Sequence, residues 1–83
     1  MHMDRAIFEL NVSVEATSLY ILICALLDQG ESPSLGRARV NWSGSDEELL
    51  NAAEELVRRG VIQAGQALGD EELLRINPSN KWA

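Results

Sequence analysis

Two short runs of acidic residues carry side chains that can bind a metal ion or transfer a proton. Residues 46–48 and residues 70–72 both have the sequence Asp-Glu-Glu, and grouped carboxylates can bind a divalent cation or move a proton. The first run follows Ser45 at a predicted helix start, where the helix dipole stabilises acidic side chains. The second lies at a predicted hairpin tip, and neither run has the spacing of a calcium-binding loop. We therefore predict solvated structural roles for both runs and no metal site.

The other reactive side chains are one cysteine and one histidine. Cys24 lies within the apolar run of residues 19–27, where we expect a small buried side chain, and one cysteine forms neither an internal disulfide nor a cysteine-based zinc site. His2 belongs to an opening Met-His-Met that is compatible with a cloning remnant. Neither a Ser-His-Asp triad nor a Cys-His pair can then be assembled. We predict that the protein is not an enzyme and binds no cofactor.

The charge balance limits which partners the chain can bind. Seven Lys and Arg residues against thirteen Asp and Glu residues give a net charge of −6. Affinity for nucleic acid depends on neutralising phosphates, so this balance disfavours nucleic-acid binding. Four cations could still form one weakly basic rim and are the candidate nucleic-acid contacts: Arg37, Arg39, Arg75 and Lys81.

The apolar run of residues 19–27 also bears on location. It is much shorter than the roughly 20 residues of a membrane-spanning helix. A signal peptide would have positive charge ahead of such a run, whereas Glu9 and Glu15 precede it. We therefore expect a cytoplasmic protein without membrane contact.

The length predicts a single domain, residues 1–83, that begins with a strand and a long helix. Apolar residues alternate over residues 6–14, which is typical of a strand with one buried face. Ser13 or Thr17 then caps a helix that ends at Gly30. This helix is apolar nearly all round, so we expect it at the centre of the core.

Two further helices are predicted from their end signals. Ser32 and Pro33 suit the cap and first position of a short second helix. Ser45 and Glu48 have the spacing of a capping box, which predicts the start of a third helix. Gly60 is expected to end that helix, because glycine adopts the left-handed conformation common at this position.

Residues 61–68 and 73–77 then predict two strands joined by a turn at residues 69–70. The whole order resembles the winged helix-turn-helix family, and residues 54–62, Glu-Glu-Leu-Val-Arg-Arg-Gly-Val-Ile, resemble its junction between third helix and wing. The resemblance covers about residues 13–82. It implies an α+β, winged-helix-like fold with three helices, an N-terminal strand and a C-terminal β-hairpin wing. The alternative is another small α+β domain, in which the N-terminal strand joins the hairpin in a three-stranded sheet.

The third helix departs from the pattern of DNA-binding members, in which it enters the major groove. Its predicted outward face carries four glutamates and two arginines: Glu47, Glu48, Glu54, Glu55, Arg58 and Arg59. We expect each arginine to pair with the glutamate one turn earlier, since that order is favourable on a helix. This face should therefore repel phosphate.

Three leucines of the first helix are the candidate protein interface. The few polar residues of that helix share one side with Leu19, Leu22 and Leu26. In a small domain with a thin core some of these leucines should remain exposed, and contiguous exposed apolar side chains usually form an interface. The alternative is that the N-terminal strand or a terminal segment covers them.

These expectations favour a protein-interaction or regulatory adaptor module that binds a protein partner or a second copy of itself. The alternative is a DNA-binding transcription regulator that uses the wing and the second helix. The scaffold does not choose between the two, because many unrelated functions share it. The position of the positive potential in the folded domain distinguishes the adaptor from the DNA-binding regulator.

Overall fold

The computed structural model describes residues 3–64, 69 and 72–83. Within these residues the protein has a small α+β fold of three α-helices and a two-stranded antiparallel hairpin, which confirms the α+β class, the three helices and the C-terminal hairpin of the prediction. The elements in chain order are an N-terminal 3₁₀ helix (Arg5–Glu9), α1 (Val14–Asp28), α2 (Leu35–Val40), α3 (Asp46–Arg58), β1 (Ile62–Gln63), β2 (Arg75–Ile76) and a C-terminal 3₁₀ helix (Ser79–Lys81).

The predicted N-terminal strand is wrong, because Arg5–Glu9 forms a 3₁₀ helix. The Asp4 side chain caps it by accepting a hydrogen bond from the Ala6 N–H at 2.9 Å. Such a local bond gives the backbone an alternative to pairing with another strand. Ile7 is the buried residue of this segment and Phe8 is 58% exposed, the reverse of the predicted alternation.

The long first helix is confirmed, and it forms the centre of the core. Ser13 is its N-cap and accepts from the Ala16 N–H at 3.1 Å. Gly30, at φ 78°, follows its end in the left-handed conformation. Tyr20 and Ile23 are fully buried in the core cluster, as expected for a helix that is apolar on most sides.

The second helix begins two residues later than predicted, with Ser34 rather than Ser32 as its cap. The Ser34 hydroxyl accepts from the Arg37 N–H at 3.2 Å. The reason for the shift is tertiary, since Ser34 pairs with Leu73 in an isolated antiparallel bridge. The carbonyl of Pro33 likewise accepts from the Leu74 N–H at 2.9 Å. These contacts hold the two residues before α2 extended beside the hairpin.

The third helix is confirmed at its start, including the capping box. The Ser45 hydroxyl accepts from the Glu48 N–H at 3.2 Å, and the Glu48 carboxylate accepts from the Ser45 N–H at 3.0 Å. Leu49 and Leu56 on its apolar stripe are fully buried, and α3 packs against α1. The core of the molecule lies mainly between these two helices.

The hairpin is confirmed over a shorter range than predicted. Ile62 lies opposite Ile76, and Gln63 lies opposite Arg75. Residues 65–68 of the predicted first strand, and most of the acidic run 70–72, lie outside the described residues. None of the helices in the described ranges is long and apolar enough to cross a membrane.

The C-terminal segment folds back onto the helices. The Trp82 ring meets the Tyr20 ring edge-on, with centroids 5.5 Å apart and planes at 79°. The Trp82 indole N–H donates to the Asn77 carbonyl at 2.9 Å, and the Asn77 amide donates to the Gly60 carbonyl at 2.8 Å. This segment therefore closes one end of the core.

Candidate functional site

The candidate interface leucines occupy different environments. Leu19 is fully buried and Leu26 is 4% exposed, so the expectation that they contribute to an exposed stripe is wrong. The reason is that α2, α3 and the N-terminal 3₁₀ helix all pack against α1. Leu22 is half-buried, and it is the one member of the predicted set that reaches a surface.

A different set of α1 residues remains uncovered. Val14 is 78% exposed and Ile21 is 40% exposed. Together with Leu22 and Ala25 they follow helical spacing, which places them along one side of α1. They line an open groove of about 330 Å³ whose opposite wall is the turn between α2 and α3. We call this the α1 groove, and its lining residues are Val14, Glu15, Ser18, Ile21, Leu22, Ala25, Asn41, Trp42, Ser43, Gly44 and Glu48.

Trp42 gives the α1 groove a fixed aromatic wall. Its indole N–H donates to the Ser45 carbonyl at 3.1 Å. The ring is half-buried and packs against the hydrophobic core. An aromatic side chain that is already held in place offers a partner a large contact area, and little side-chain entropy is lost on binding.

One end of the α1 groove is acidic. Glu15, in the first turn of α1, and Glu48, in the first turn of α3, both belong to its lining. A neighbouring depression of about 280 Å³ shares these two glutamates and adds Glu55. The start of α1 and helix α3 therefore contribute three glutamates to the lining of these two adjoining depressions.

Glu55 has a structural role that the sequence pattern did not suggest. Its carboxylate accepts from the Ser13 N–H at 2.8 Å and from the Ser13 hydroxyl at 2.6 Å. These two hydrogen bonds are the main reason that the pKa of Glu55 lies below its usual value. The contact ties the start of α1 to α3.

The expected pairing of arginines with glutamates on α3 is wrong. Arg59, expected to pair with Glu55, donates instead to the Leu10 carbonyl at 2.8 Å and to the Ala83 carbonyl. Glu54 and Arg58 form no ion pair in the part of the chain described here. A periodic pattern shows which side chains are neighbours, but not which of them have a better partner elsewhere in the fold.

The four candidate nucleic-acid contacts lie on three separate elements. Arg37 of α2 pairs with Glu31 at 3.1 Å, and Arg39 of α2 pairs with Asp46 at 3.0 Å. Arg75 on β2 and Lys81 on the C-terminal 3₁₀ helix are exposed. Two of the four charges are thus offset by a carboxylate at contact distance.

A second apolar depression of about 480 Å³ lies between the end of α1 and β2. Leu27 and Pro33 form one side of it, and Leu73, which is 50% exposed, forms the other. Residues 70 and 71, which shortly precede Leu73, lie outside the described residues. The α1 groove is the better-defined candidate, because every residue that lines it is described.

Cys24 lies in the core beside Tyr20, as the sequence predicted. Burial raises the pKa of the Cys24 thiol and raises the pKa of Tyr20 to about 12, so both groups stay protonated at neutral pH. No three His, Cys, Asp or Glu side chains converge as a metal-binding group within residues 3–64, 69 and 72–83.

The sequence analysis missed Val14, Ile21 and Trp42 as surface residues. The spacing of Val14, Ser18, Ile21 and Ala25 places them on one helical face, which is the signal that could have indicated them. Trp42 could not be assigned in this way, because its position beside α1 depends on how the turn after α2 packs.

Comparison of the chain with protein-family models, curated proteins and solved structures found no match.

Proposed function

We propose that the protein is a non-enzymatic adaptor module that binds another protein through the α1 groove. The observation that carries this proposal is the uncovered apolar side of α1. Val14 and Ile21 are exposed there beside the fixed ring of Trp42. Contiguous exposed apolar side chains in a soluble domain usually mark an interaction surface.

The scaffold for this function is winged-helix-like. Three helices are followed directly by an antiparallel hairpin, and α3 packs against α1. This order supports the proposed scaffold, in which the hairpin is the wing. The 3₁₀ helix at the N-terminus takes the place of the strand that the resemblance implied.

The DNA-binding alternative has less support from the charges. Glu47 and Glu54 are exposed on α3, the helix that would enter the major groove. Arg37 and Arg39 on α2 are each paired with a carboxylate. Of the four candidate cations, only Arg75 and Lys81 have no ion-pair partner among the described residues.

Affinity capture with matched variants tests the proposed function. Ile21→Glu places a charge in the α1 groove, whereas Val40→Glu places the same charge at an 82% exposed position outside it. We expect the wild type and Val40→Glu to capture the same proteins from nuclease-treated native lysate, and Ile21→Glu to lose them. Circular dichroism should show equal helix content in all three.

Two results would contradict the proposal. In the first, Ile21→Glu captures the same proteins as the wild type, which would place the binding surface elsewhere. In the second, all capture disappears after nuclease treatment, which would favour the DNA-binding alternative.

A further inference from the structure

The α1 groove combines an apolar wall with a charged end, and this combination restricts what can occupy it. From Val14 to Ala25 it follows about 16 Å of helix α1, at 1.5 Å per residue. A groove of this length matches about three turns of a bound helix. Amphipathic helices commonly bind such grooves through apolar side chains spaced three or four residues apart.

The charge of the α1 groove is negative. Glu15 and Glu48 line it, and Glu55 lies in the adjoining depression. Within the described part of the chain, the residues that line the groove include no lysine or arginine. Glu15 and Glu48 therefore face no cation within the groove, and their charges add to the field of a chain with net charge −6.

We propose that the α1 groove binds a short basic amphipathic helix of a partner protein. The apolar face of that helix contacts Ile21, Leu22 and Trp42. Its lysines or arginines lie over the start of α1, where they face Glu15 and Glu48. This inference rests on the proposed function and adds the chemical class of the partner.

A second copy of the chain is a poorer occupant. Symmetric homodimers use the same surface on both copies. A contact of that kind through the α1 groove would give Glu15 and Glu48 of either copy no cation to face, because the described residues that line the groove include no lysine or arginine. An arrangement that placed the two acidic ends together would also be repulsive, because salt screens charges only over about 8 Å at physiological ionic strength.

Three synthetic peptides test the class of the partner. The first is a 14-residue helix-forming peptide with leucines on one face and lysines on the other. The second has every lysine replaced by glutamate, and the third has every leucine replaced by serine. Titrations followed by fluorescence anisotropy give their affinities at low and physiological salt, and amide chemical-shift changes show where each peptide binds. We expect only the leucine–lysine peptide to bind, with shifts along α1 and the turn before α3.

Two pairs of variants show whether the binding uses the groove. Ile21→Glu should abolish binding of the leucine–lysine peptide, and Val40→Glu should leave it unchanged. Glu15→Gln should weaken binding about two- to fivefold, as expected for the loss of one exposed ion pair. Glu47→Gln removes an exposed α3 carboxylate that does not line the groove, so it should have a smaller effect.

Several outcomes would overturn the inference. The inference is wrong if the glutamate peptide binds as well as the lysine peptide, or if no peptide binds. It is also wrong if the chemical-shift changes are confined to surfaces outside the α1 groove. Self-association that Ile21→Glu abolishes in sedimentation would identify a second copy as the occupant instead. The proposed function is judged separately, because loss of captured proteins with Ile21→Glu would still support protein binding when the basic peptide does not bind.

Discussion

Ser13 and Glu55 show how much one pair of residues can contribute to a domain of this size. Ser13 accepts from the Ala16 N–H as the cap of α1, and it donates two hydrogen bonds to the Glu55 carboxylate. One serine therefore satisfies the helix start and also connects it to α3. Hydrogen bonds to a charged group are stronger than those between neutral groups, so the ionised form of Glu55 matters to the fold.

The first prediction concerns the pH dependence of stability at Glu55. The two hydrogen bonds from Ser13 lower its pKa in the folded protein below the ordinary glutamate value of 4.5. The stabilisation from the ionised carboxylate is therefore present above pH 4.5 and is lost as the pH falls through the lowered folded value. We expect the wild type to lose more stability than Glu55→Gln between pH 5 and about pH 3.

Urea unfolding midpoints measured across that pH range will check the prediction. Glu54→Gln is the matched control, because it removes an exposed carboxylate of the same helix. It should keep the pH dependence of the wild type. If Glu55→Gln and the wild type lose stability in parallel, the Ser13 contact does not stabilise the folded state.

At the scale of elements, the end of α3 depends on the segment that follows the hairpin. Gly60 has φ 75°, and an added Cβ would lie 2.8 Å from the Lys81 carbonyl oxygen. Gly30 ends α1 at nearly the same φ, 78°, but nothing lies within 4 Å of its Cβ position. Both glycines therefore need the left-handed backbone conformation. Only at Gly60 would an added side chain also collide with a neighbouring segment.

The second prediction uses this difference. Gly30→Ala should cost about 1 kcal/mol, the usual penalty for a left-handed alanine. Gly60→Ala should cost more than Gly30→Ala, because the C-terminal segment must also move away from α3. Denaturant unfolding of the two variants measures both costs. Equal losses would show that the contact between Gly60 and Lys81 does not constrain the fold.

The helices that carry their own end signals were predictable from the sequence. Ser45 caps α3 as expected, and Ser13, one of the two candidates for α1, caps that helix, since a cap is a local interaction between residues a few positions apart. The start of α2 was not predictable in this way. The local signal of Ser32 followed by Pro33 favoured a start two residues earlier, and the bridge between Ser34 and Leu73 outweighs it.

The prediction of an N-terminal strand was wrong for a related reason. Alternating apolar residues indicate a strand only if a partner strand is available, and the hairpin does not pair with residues 5–9. The Asp4 cap and the hydrogen bond from the Asp4 N–H to the Tyr20 hydroxyl, at 2.8 Å, hold this segment instead. The candidate site has the same dependence on tertiary contacts. Some of the three candidate leucines were expected at the surface, but Leu19 and Leu26 are buried in the folded domain.

For the whole molecule, the distribution of charge separates the proposed function from its alternative. The net charge is −6, and Glu15, Glu48 and Glu55 gather around the start of α1. The cations are dispersed, and Arg37 and Arg39 are paired with Glu31 and Asp46. Non-specific DNA binding depends almost entirely on electrostatic attraction and has a Kd of about 10⁻⁴–10⁻⁶ M in ordinary DNA-binding domains. From this charge distribution we expect the protein to bind non-specific DNA at or below the weak end of that range.

The third prediction is that no complex with random duplex DNA is detected at physiological salt. Fluorescence anisotropy with a labelled duplex, repeated at low salt, measures it. The double variant Glu47→Lys with Glu54→Lys provides a control, because it reverses two exposed charges on α3 and should raise the low-salt affinity if that helix can approach DNA. The adaptor proposal would be contradicted if the wild type bound DNA at micromolar concentration and this binding weakened steeply with salt. Arg75→Ala and Lys81→Ala should then reduce the binding. Each of those two substitutions would then lower the salt slope by about one unit, since each removes one phosphate contact.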